Sequence, residues 1–480
     1  MQNVTRREFL KAIGVGAVSL AGPGAFAAAA GGRRPNIIVF MPDDIGYEAL
    51  GCYGSAVYKT PVLDKLAATG MRINHCHAQP LCTPTRVKIM TGKYNCRNYI
   101  RFGLLDTKET TFAQILRKAG YATGIAGKWQ LGGDGETVKR FGFDRHCLWH
   151  ITGRNGRYWK PRLMHDGKVV THPAEKYGPD IVCDFALDFI ERSKDGPFLL
   201  YYPMILTHWP FDPTPDSADG GSKKKHVSYN DSGKPGQEYF KDMVAYMDKI
   251  VGRIVAKLDE LKLREDTLIL FTGDNGTSQV KGRMKDGRVI GGGKGSMTDD
   301  GTRVALIANW PGKIAPKQVS DALVDFTDFL PTVAEAARAE VPGGLQLDGK
   351  SFLPVLLGRK KHVREWIFCH YNPRPKREPT APAAREKALR QVDVGRTRHK
   401  LGRWARTQRY KLYGTGQFYD VAADPDEQKD IKAGSGSAEA EAARKMLQSV
   451  HDAMPPWQPF ARGGAKSKAG KASRKAGRGQ

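Results

Sequence analysis

The sequence has little acidic charge and almost no long apolar segments. Its 480 residues include 76 lysines and arginines against 50 aspartates and glutamates, a formal net charge of +26 at pH 7. After the first thirty residues no segment is long and apolar enough to cross a bilayer, so stable membrane insertion is not expected. No nucleic-acid-binding motif accompanies the basic residues, so a nucleic-acid partner is not expected either.

The sequence has few cysteines, and their number is odd. The cysteines lack the CxxC spacing of structural zinc sites, which argues against a zinc-stabilised fold. An odd count leaves at least one cysteine unpaired or modified, unless a disulfide joins two chains. Spacing does not assign any pairing, so disulfides stay open. The seven cysteines are Cys52, Cys76, Cys82, Cys96, Cys147, Cys183 and Cys369.

The first thirty residues differ from the rest. An Arg6-Arg7 pair precedes a weakly apolar stretch at 12–30, and Ala25-Phe26-Ala27 offers a small-residue cleavage site. This arrangement resembles a twin-arginine signal, so we interpret residues 1–30 as a signal peptide of an exported protein, periplasmic or secreted. A membrane anchor is the alternative, but five glycines and prolines in that stretch suit a membrane-spanning helix poorly.

The positive charge is concentrated in two C-terminal segments. Residues 374–411 contain thirteen basic and three acidic residues, and residues 461–480 contain seven basic and no acidic ones. A basic surface attracts polyanions over long distances, which fits a polysaccharide and a nucleic acid equally. Residues 461–480 are rich in glycine, lysine and alanine, so we predict a basic disordered tail there.

The apolar pattern predicts an α/β fold with two domains. Continuous apolar runs indicate buried strands, expected to be parallel, at 36–41, 198–204, 267–272 and 304–310. Helical patterns lie at 60–70, 111–120 and 239–261. We therefore expect residues 34–355 to form a sheet covered by helices on both faces. A smaller C-terminal α+β domain over residues 356–460 is indicated by short strands at 366–371, 402–407, 410–413 and 418–421.

Two of the predicted strands are followed by acidic pairs. Asp43-Asp44 comes directly after IIVFMP, and Asp274-Asn275 comes directly after LILFTG. Ligands of open α/β sheets bind beyond the carboxyl ends of the strands, where these carboxylates would repel one another unless a cation lay among them. Oxygen ligands of this kind suit calcium or magnesium. The alternative is that each pair caps the helix or turn that follows it.

A third element is Cys82-Thr83-Pro84-Thr85-Arg86, followed by Thr91-Gly92. It resembles the sulfatase family, whose signature is Cys-x-Pro-x-Arg with a Thr-Gly a few residues later. Five residues alone are a weak signal, but further family-like motifs follow in the family's order, so the resemblance covers residues 34 to 430. These motifs lie at residues 35–44, 51–54, 60–70, 127–129, 207–210, 271–276, 292–295, 347–349 and 409–412.

The resemblance implies a sulfatase of the alkaline phosphatase superfamily, built on a large mixed, mostly parallel sheet with a smaller C-terminal domain. It implies that a formylglycine-generating enzyme oxidises Cys82 to formylglycine. One hydroxyl of the hydrated aldehyde attacks sulfur, and a proton lost from the other then releases sulfate, an exit that serine lacks. A sulfated carbohydrate or another sulfate ester is the implied substrate. Without the flanking motifs, Cys82 would be interpreted as a buried or disulfide-bonded cysteine.

The same resemblance implies roles for the residues that match. Arg86 is expected to fix the formylglycine, and Lys128 and Lys294 to hold the sulfate. His208 is the candidate general acid, although a lone histidine is more often structural. A bound cation, calcium with magnesium as the alternative, is expected to act as a Lewis acid. The predicted metal ligands are Asp43, Asp44, Cys82, Asp274 and Asn275.

One position departs from the family pattern. The family has Gly-Lys-Trp-His where this chain ends the motif with Gln130. In relatives that histidine is expected to help remove the proton that releases sulfate, whereas glutamine cannot act as a base near neutral pH. General acid–base help is typically worth roughly a hundredfold to ten-thousandfold in rate. Either His146 or His150 replaces the base, or sulfate release is slow, or the substrate is unusual.

Two other functions stay open from the sequence. A phosphate or phosphonate monoester hydrolase would share the sheet and the metal site, because phosphoryl and sulfate groups are alike in shape. An inactive homologue that binds polyanions would account for Gln130 and the basic segments, although the otherwise complete set of site residues argues against it. Substrate choice is expected to depend on loops at 151–171, 212–235 and 373–398, whose conformation a single sequence does not give.

Overall fold

A computed structural model describes residues 33–151, 153, 156–218, 237–375 and 401–456. The predicted signal peptide, the predicted basic tail and most of the loops at 212–235 and 373–398 lie outside these residues. Within the described ranges, every helix is too short or too polar to cross a bilayer.

The larger part of the described chain is built on a ten-stranded sheet and a two-stranded ribbon. Their strands are β1 (Asn36–Phe40), β2 (Met71–His77), β3 (Ala122–Lys128), β4 (Arg145–Trp149), β5 (Arg162–His165), β6 (Lys168–Thr171), β7 (Phe198–Tyr202), β8 (Thr267–Thr272), β9 (Lys281–Arg283), β10 (Val289–Gly291), β11 (Arg303–Asn309) and β12 (Gln318–Asp325). The order in the large sheet is β12-β2-β11-β8-β1-β7-β3-β4-β5-β6, and β9 pairs with β10.

The centre of the large sheet is parallel and its margins are mixed. β8, β1, β7, β3 and β4 lie side by side as parallel neighbours. β12 is parallel to β2, whereas β11 is antiparallel to both β8 and β2, and β5 is antiparallel to β4 and β6. The prediction of a mixed, mostly parallel sheet is confirmed. The expectation of a parallel strand at 304–310 is wrong, because an apolar run reports burial on both faces and not the direction of the strand.

Helices cover both faces of the large sheet. Alternate residues of each strand point to opposite sides, so both faces carry apolar side chains that the helices bury. In β1, Ile38 and Phe40 belong to one apolar cluster, and Ile37 and Val39 belong to another. The helices are α1 (Pro61–Ala68), α2 (Cys82–Thr91), α3 (Asn95–Asn98), α4 (Phe112–Lys118), α5 (Gly135–Arg140), α6 (Gly178–Arg192), α7 (Gln237–Glu260), α8 (Asp299–Thr302), α9 (Phe329–Ala336), α10 (Leu353–Leu356) and α11 (Ala438–Ala453). The helices predicted at 60–70, 111–120 and 239–261 are confirmed as α1, α4 and α7.

The C-terminal part forms a separate antiparallel sheet. Its strands, in spatial order, are β13 (Ile367–Tyr371), β14 (Gly402–Arg406), β15 (Tyr410–Tyr413) and β16 (Phe418–Asp420). They confirm the four short strands predicted from the sequence. Lys411 of β15 is buried and joins this sheet to the larger part, because its ammonium donates to Glu427 and to the carbonyl of Met297, each at 2.7 Å. Domain limits at 355 and 356 stay a prediction.

Candidate active site

Four neighbouring strands deliver polar side chains to one edge of the large sheet. Asp43-Asp44 follows β1, Asp274-Asn275 follows β8, Lys128 is the last residue of β3, and His208 lies in the loop after β7. These strands are adjacent and parallel, so their carboxyl ends meet at the same edge. Residues as far apart in the sequence as Asp44 and Asn275, 231 positions, thereby come together.

Cys82 reaches the same edge as the first residue of α2. Its side chain is 2% exposed, and burial raises the pKa of the thiol although Lys128 and Lys294 act in the opposite direction. Within the described residues, neither Cys82 nor any of the other six cysteines forms a disulfide.

Arg86, one turn further along α2, fixes the helix against the sheet. Its Nη2 donates to Oδ2 of Asp274 at 2.9 Å, and its Nη1 donates to the carbonyl of Lys128 at 3.0 Å. Both side chains of the ion pair are fully buried. The first turn of α2 is therefore held between the ends of β3 and β8.

The remaining carboxylates are paired with lysines. Nζ of Lys128 donates to Oδ2 of Asp43 at 2.6 Å, and Nζ of Lys294 donates to Oδ2 of Asp44. Nδ2 of Asn275 donates to Oδ1 of Asp44 at 2.9 Å. An unpaired buried charge costs several kcal/mol, so this pairing is a condition for burying the cluster.

The cluster also has oxygen atoms that no hydrogen bond uses. Oδ1 of Asp43 and Oδ1 of Asn275 are buried and have no partner in the part of the chain that the structure describes. Ligand atoms of Asp43, Cys82 and Asp274 lie within 4.8 Å of one another, and so do those of Asp43, Asp44 and His208. Because buried polar atoms normally have partners, these residues could hold a hard divalent cation.

Burial and neighbouring charges shift two of the carboxylates in opposite directions. Burial favours the neutral form of Asp43, but neighbouring cations, Lys128 first and then Arg86 and Lys294, outweigh it and hold the pKa of Asp43 well below its usual range. Burial and the charge of Asp43 raise the pKa of Asp274 to about 7. A divalent cation between the two would relieve their repulsion.

His208 lies between two cationic groups. Its Nε2 is 3.0 Å from Nζ of Lys294 and 3.5 Å from Oδ2 of Asp44, and its Nδ1 is 2.6 Å from Nη1 of Arg157. Burial lowers the pKa of His208, and Lys294 and Arg157 lower it further, well below its ordinary value. The imidazole is therefore neutral in this arrangement.

Gln130 lines the same cavity as the predicted site residues Cys82 and Lys128. It is 6% exposed, and its side-chain oxygen is buried without a hydrogen-bond partner among the described residues. Of the two histidines suggested to replace the missing base, His150 lines the cavity over the cluster. His146 is not among the lining residues, and its Nε2 accepts from the backbone N–H of Gly167 at 2.9 Å.

A cavity of about 240 Å³ opens over these residues. We call the charged cluster beneath it the floor, formed by Asp43, Asp44, Cys82, Arg86, Lys128, Asp274, Asn275 and Lys294. We call a set of lining residues that the sequence analysis did not single out the rim, formed by Phe102, Trp149, Arg157, Trp209, Gln279 and Arg374. Among the described residues, no acidic side chain lines the cavity. The motif at 207–210 and the predicted pocket loops at 151–171 and 373–398 covered three rim residues, namely Trp209, Arg157 and Arg374.

Known proteins resemble the chain in both sequence and fold. Residues 35–339 match the family model for sulfatases, and residues 293–453 match the model for the C-terminal part of N-sulphoglucosamine sulphohydrolase. Arylsulfatase A of Homo sapiens is 33% identical over 376 residues, which cover 70% of this chain and 71% of that protein. Steryl-sulfatase of Rattus norvegicus is 29% identical over 440 residues, which cover 72% of this chain and 74% of that protein.

A solved structure gives the same result for the fold. A protein in complex with its substrate, D-glucosamine-2-N,6-O-disulfate, superposes with a TM-score of 0.67 and 25% identity, over 88% of this chain and 97% of that one. The sulfatase model matches well over half of the chain, and the match includes both acidic pairs and the Cys82 motif. The chain therefore belongs to the sulfatase family, and its activity is the hydrolysis of sulfate esters.

Proposed function

We propose that the chain removes sulfate from a carbohydrate, using a formylglycine made from Cys82 and a bound divalent cation. One observation carries this proposal: the ligand atoms of Asp43, Cys82 and Asp274 meet within 4.8 Å although they come from three separate segments. If each acidic pair only capped its own helix or turn, nothing would require the two pairs and the cysteine to meet.

Calcium is the proposed cation, with magnesium as the alternative. The proposed ligands are Asp43, Asp44, Asp274, Asn275 and residue 82. Carboxylate and amide oxygens suit these hard cations better than zinc or copper, which favour nitrogen and sulfur. The unpartnered Oδ1 atoms of Asp43 and Asn275 support the fit, because each would gain a partner. When bound, such an ion supplies a Lewis acid next to the sulfate group.

Cys82 is proposed to reach its active form through a formylglycine-generating enzyme. The Cys-x-Pro-x-Arg match and the position of Cys82 in the cavity lining support this. Burial raises the pKa of the thiol, so the unmodified side chain is a poor nucleophile. When installed, the hydrated aldehyde supplies an oxygen nucleophile in its place.

The lysines of the floor are proposed to bind the sulfate. Lys128 and Lys294 both line the cavity next to Cys82, and each is held by a buried carboxylate. Fixed positive charge in a dry site stabilises the negative charge that develops on sulfate oxygens. Arg86 is proposed to hold the start of α2, and with it residue 82, in the orientation for attack.

His208 is proposed to protonate the leaving oxygen of the ester, whereas Gln130 is proposed not to act as the base that releases sulfate. His208 lies at the cavity beside Lys294, where its ring can donate to the leaving oxygen of the ester. Gln130 can orient a group by hydrogen bonding but cannot take up a proton. His150 is the proposed substitute base, because it lines the same cavity. Slow sulfate release is the expected consequence if His150 does not serve.

A sugar is the proposed carrier of the sulfate. Phe102 and Trp209 give the rim flat apolar ring faces, which suit the apolar face of a sugar ring. Arg374 adds positive charge that attracts further anionic groups. The related protein solved with a sulfated glucosamine supports the same substrate class.

Export through the twin-arginine pathway to the periplasm or the medium is part of the proposal. It depends on Arg6-Arg7 and the cleavage triplet at 25–27. A larger catalytic domain at 34–355 and a smaller one at 356–460 are proposed from the separate sheets.

Three measurements test the proposal. Peptide mass analysis of the Cys82 segment should find the mass of formylglycine, and metal analysis of the purified protein should find calcium. Sulfated mono- and oligosaccharides are then assayed for sulfate release next to the matching phosphate esters. Faster phosphate release would replace the proposal by a phosphate or phosphonate hydrolase. Tight binding of sulfated glycans without release would replace it by an inactive polyanion-binding protein.

A further inference from the structure

Arg157 of the rim makes direct contact with the catalytic histidine proposed above. Nη1 of Arg157 lies 2.6 Å from Nδ1 of His208. The same nitrogen donates to the carbonyl of Trp209 at 2.5 Å and to the carbonyl of His208 at 3.3 Å. One guanidinium thus contacts both the ring and the backbone of the loop that carries His208.

The position of Arg157 is fixed on its other side as well. Its guanidinium carbon lies 4.2 Å from the ring centre of Trp149, within the range of a cation–π contact. Arg157 is 7% exposed, and its Nε is buried without a hydrogen-bond partner among the described residues. In the described part of the chain no carboxylate forms an ion pair with it. A buried guanidinium without a carboxylate is costly to maintain, which indicates that its interactions have a use.

Arg157 and Lys294 contact opposite ends of the His208 ring. Nη1 of Arg157 lies 2.6 Å from Nδ1, whereas Nζ of Lys294 and Oδ2 of Asp44 lie 3.0 Å and 3.5 Å from Nε2. A guanidinium and an ammonium have only N–H donors and a neutral imidazole has one lone pair, so the ring accepts from only one of them at a time. The carbonyl of Trp209 also lies near Nδ1. Arg157 therefore fixes the Nδ1 end of the ring, and the Nε2 end faces the floor.

We propose that Arg157 is a positioning residue that holds the Nδ1 end of the His208 ring, so that Nε2 faces the leaving oxygen of the sulfate ester. The proposal rests on the function proposed above, because it assigns His208 the contact with the leaving oxygen. Neither the sequence motif around His208 nor the comparisons point to Arg157, which lies 51 positions away.

A purely structural role for Arg157 is the competing explanation. In that case the arginine only braces the loop, and its loss slows all substrates alike. A role in orienting the ring predicts a loss that depends on the leaving group. A poor leaving group needs the N–H of His208, whereas 4-nitrophenolate leaves readily without it.

The test compares phenyl sulfate with 4-nitrophenyl sulfate on the intact, formylglycine-containing protein. Arg157→Met keeps the length and apolar stem but removes every donor. It should lower kcat/KM for phenyl sulfate roughly a hundredfold and for 4-nitrophenyl sulfate only a few-fold. Arg157→Lys keeps a donor group and should recover part of the selective loss. If thermal unfolding shows that Arg157→Met does not fold, Arg157→Lys is compared with the unmutated protein instead. Equal losses on the two esters would overturn the proposal.

A double-variant cycle shows whether Arg157 acts through His208. His208→Ala alone should show the same selective loss on phenyl sulfate. Adding Arg157→Met to it should cause no further selective loss, since coupled residues are not additive. A full additional selective loss would mean that Arg157 acts by another route, and the proposal would be wrong. If the unmutated protein releases sulfate from neither the two aryl esters nor the sulfated saccharides, the proposed function fails and this role fails with it. If it hydrolyses both aryl esters and only the selectivity is missing, this role fails alone.

Discussion

The floor and the rim of the cavity differ in how their charges are balanced. In the floor, Lys128 and Lys294 each meet a buried carboxylate, and so does Arg86. In the rim, Arg157 contacts a histidine and backbone carbonyls, and Arg374 lies over the ring of Phe102. No ion pair of either rim arginine occurs among the described residues.

This difference suits the floor to catalysis and the rim to recognition of the substrate. Paired charges in a buried cluster have fixed positions, so they cost no reorganisation when a sulfate group enters. Cations that lack a carboxylate partner keep their charge available for a histidine or for the substrate. We therefore expect changes in the floor to remove activity and changes in the rim to alter which substrate is preferred.

Loss of the floor nucleophile should have the largest effect. Cys82→Ala should abolish sulfate release, because alanine cannot be oxidised to formylglycine. The side chain is small and buried, so the fold should persist. Initial rates on 4-nitrophenyl sulfate, with mass analysis of the peptide, measure this. Cys183→Ala, at a buried cysteine of α6, is the control and should keep full activity. Activity in Cys82→Ala would place the nucleophile outside the floor.

Loss of one floor carboxylate should come next. Asp43→Asn removes a proposed ligand and leaves Lys128 without its partner. We expect loss of bound calcium, a drop in kcat/KM of roughly a hundredfold to a thousandfold, and destabilisation by about 3–5 kcal/mol. Metal analysis and thermal unfolding measure these changes.

Glu427→Gln is the matched control for that variant, because it breaks the buried pair with Lys411 in the C-terminal part. It should destabilise to a similar extent and leave the calcium content unchanged. Calcium loss in both variants would assign the effect to general unfolding and not to the floor.

A substitution at Gln130 should increase activity. Gln130→His restores a base next to Lys128, so sulfate release should speed up by roughly tenfold to a hundredfold. Pre-steady-state measurements of product burst and turnover test this. Gln279→His changes the other glutamine of the cavity lining and should leave the burst unaltered. Unaltered kinetics in Gln130→His would reject slow release as the consequence of Gln130.

The smallest effect is expected at the outer rim. Arg374→Gln removes one charge at the cavity mouth, worth about 1 kcal/mol, so KM for a sulfated oligosaccharide should rise roughly fivefold with kcat little changed. The difference should shrink as salt is added, because exposed charges are screened. Arg409→Gln, an exposed arginine paired with Asp420 and absent from the cavity lining, should leave KM unchanged. A fall in kcat would place Arg374 among the catalytic groups.

The sequence predicts the elements whose signal is local. Strand β8 is a continuous apolar run, and Thr111 opens α4 with a capping box to Gln114, so both were found within a few residues. Strand β3 was missed, because its ATGIAGK sequence buries small residues and glycines in place of an apolar run. The antiparallel direction of β11 was missed, because direction depends on which neighbour a strand pairs with.

The floor and the rim also differ in how far the sequence predicts them. Asp43-Asp44 and the Cys82 motif each stand in a short run of neighbours, so the sequence by itself determined which residues supply the oxygen donors and the nucleophile. Arg157 has no such run around it. Its importance comes from a 2.6 Å contact with His208 across 51 positions. Only the tertiary structure decided that contact, because a loop residue gains its partner from the packing of distant segments and not from its neighbours in the chain.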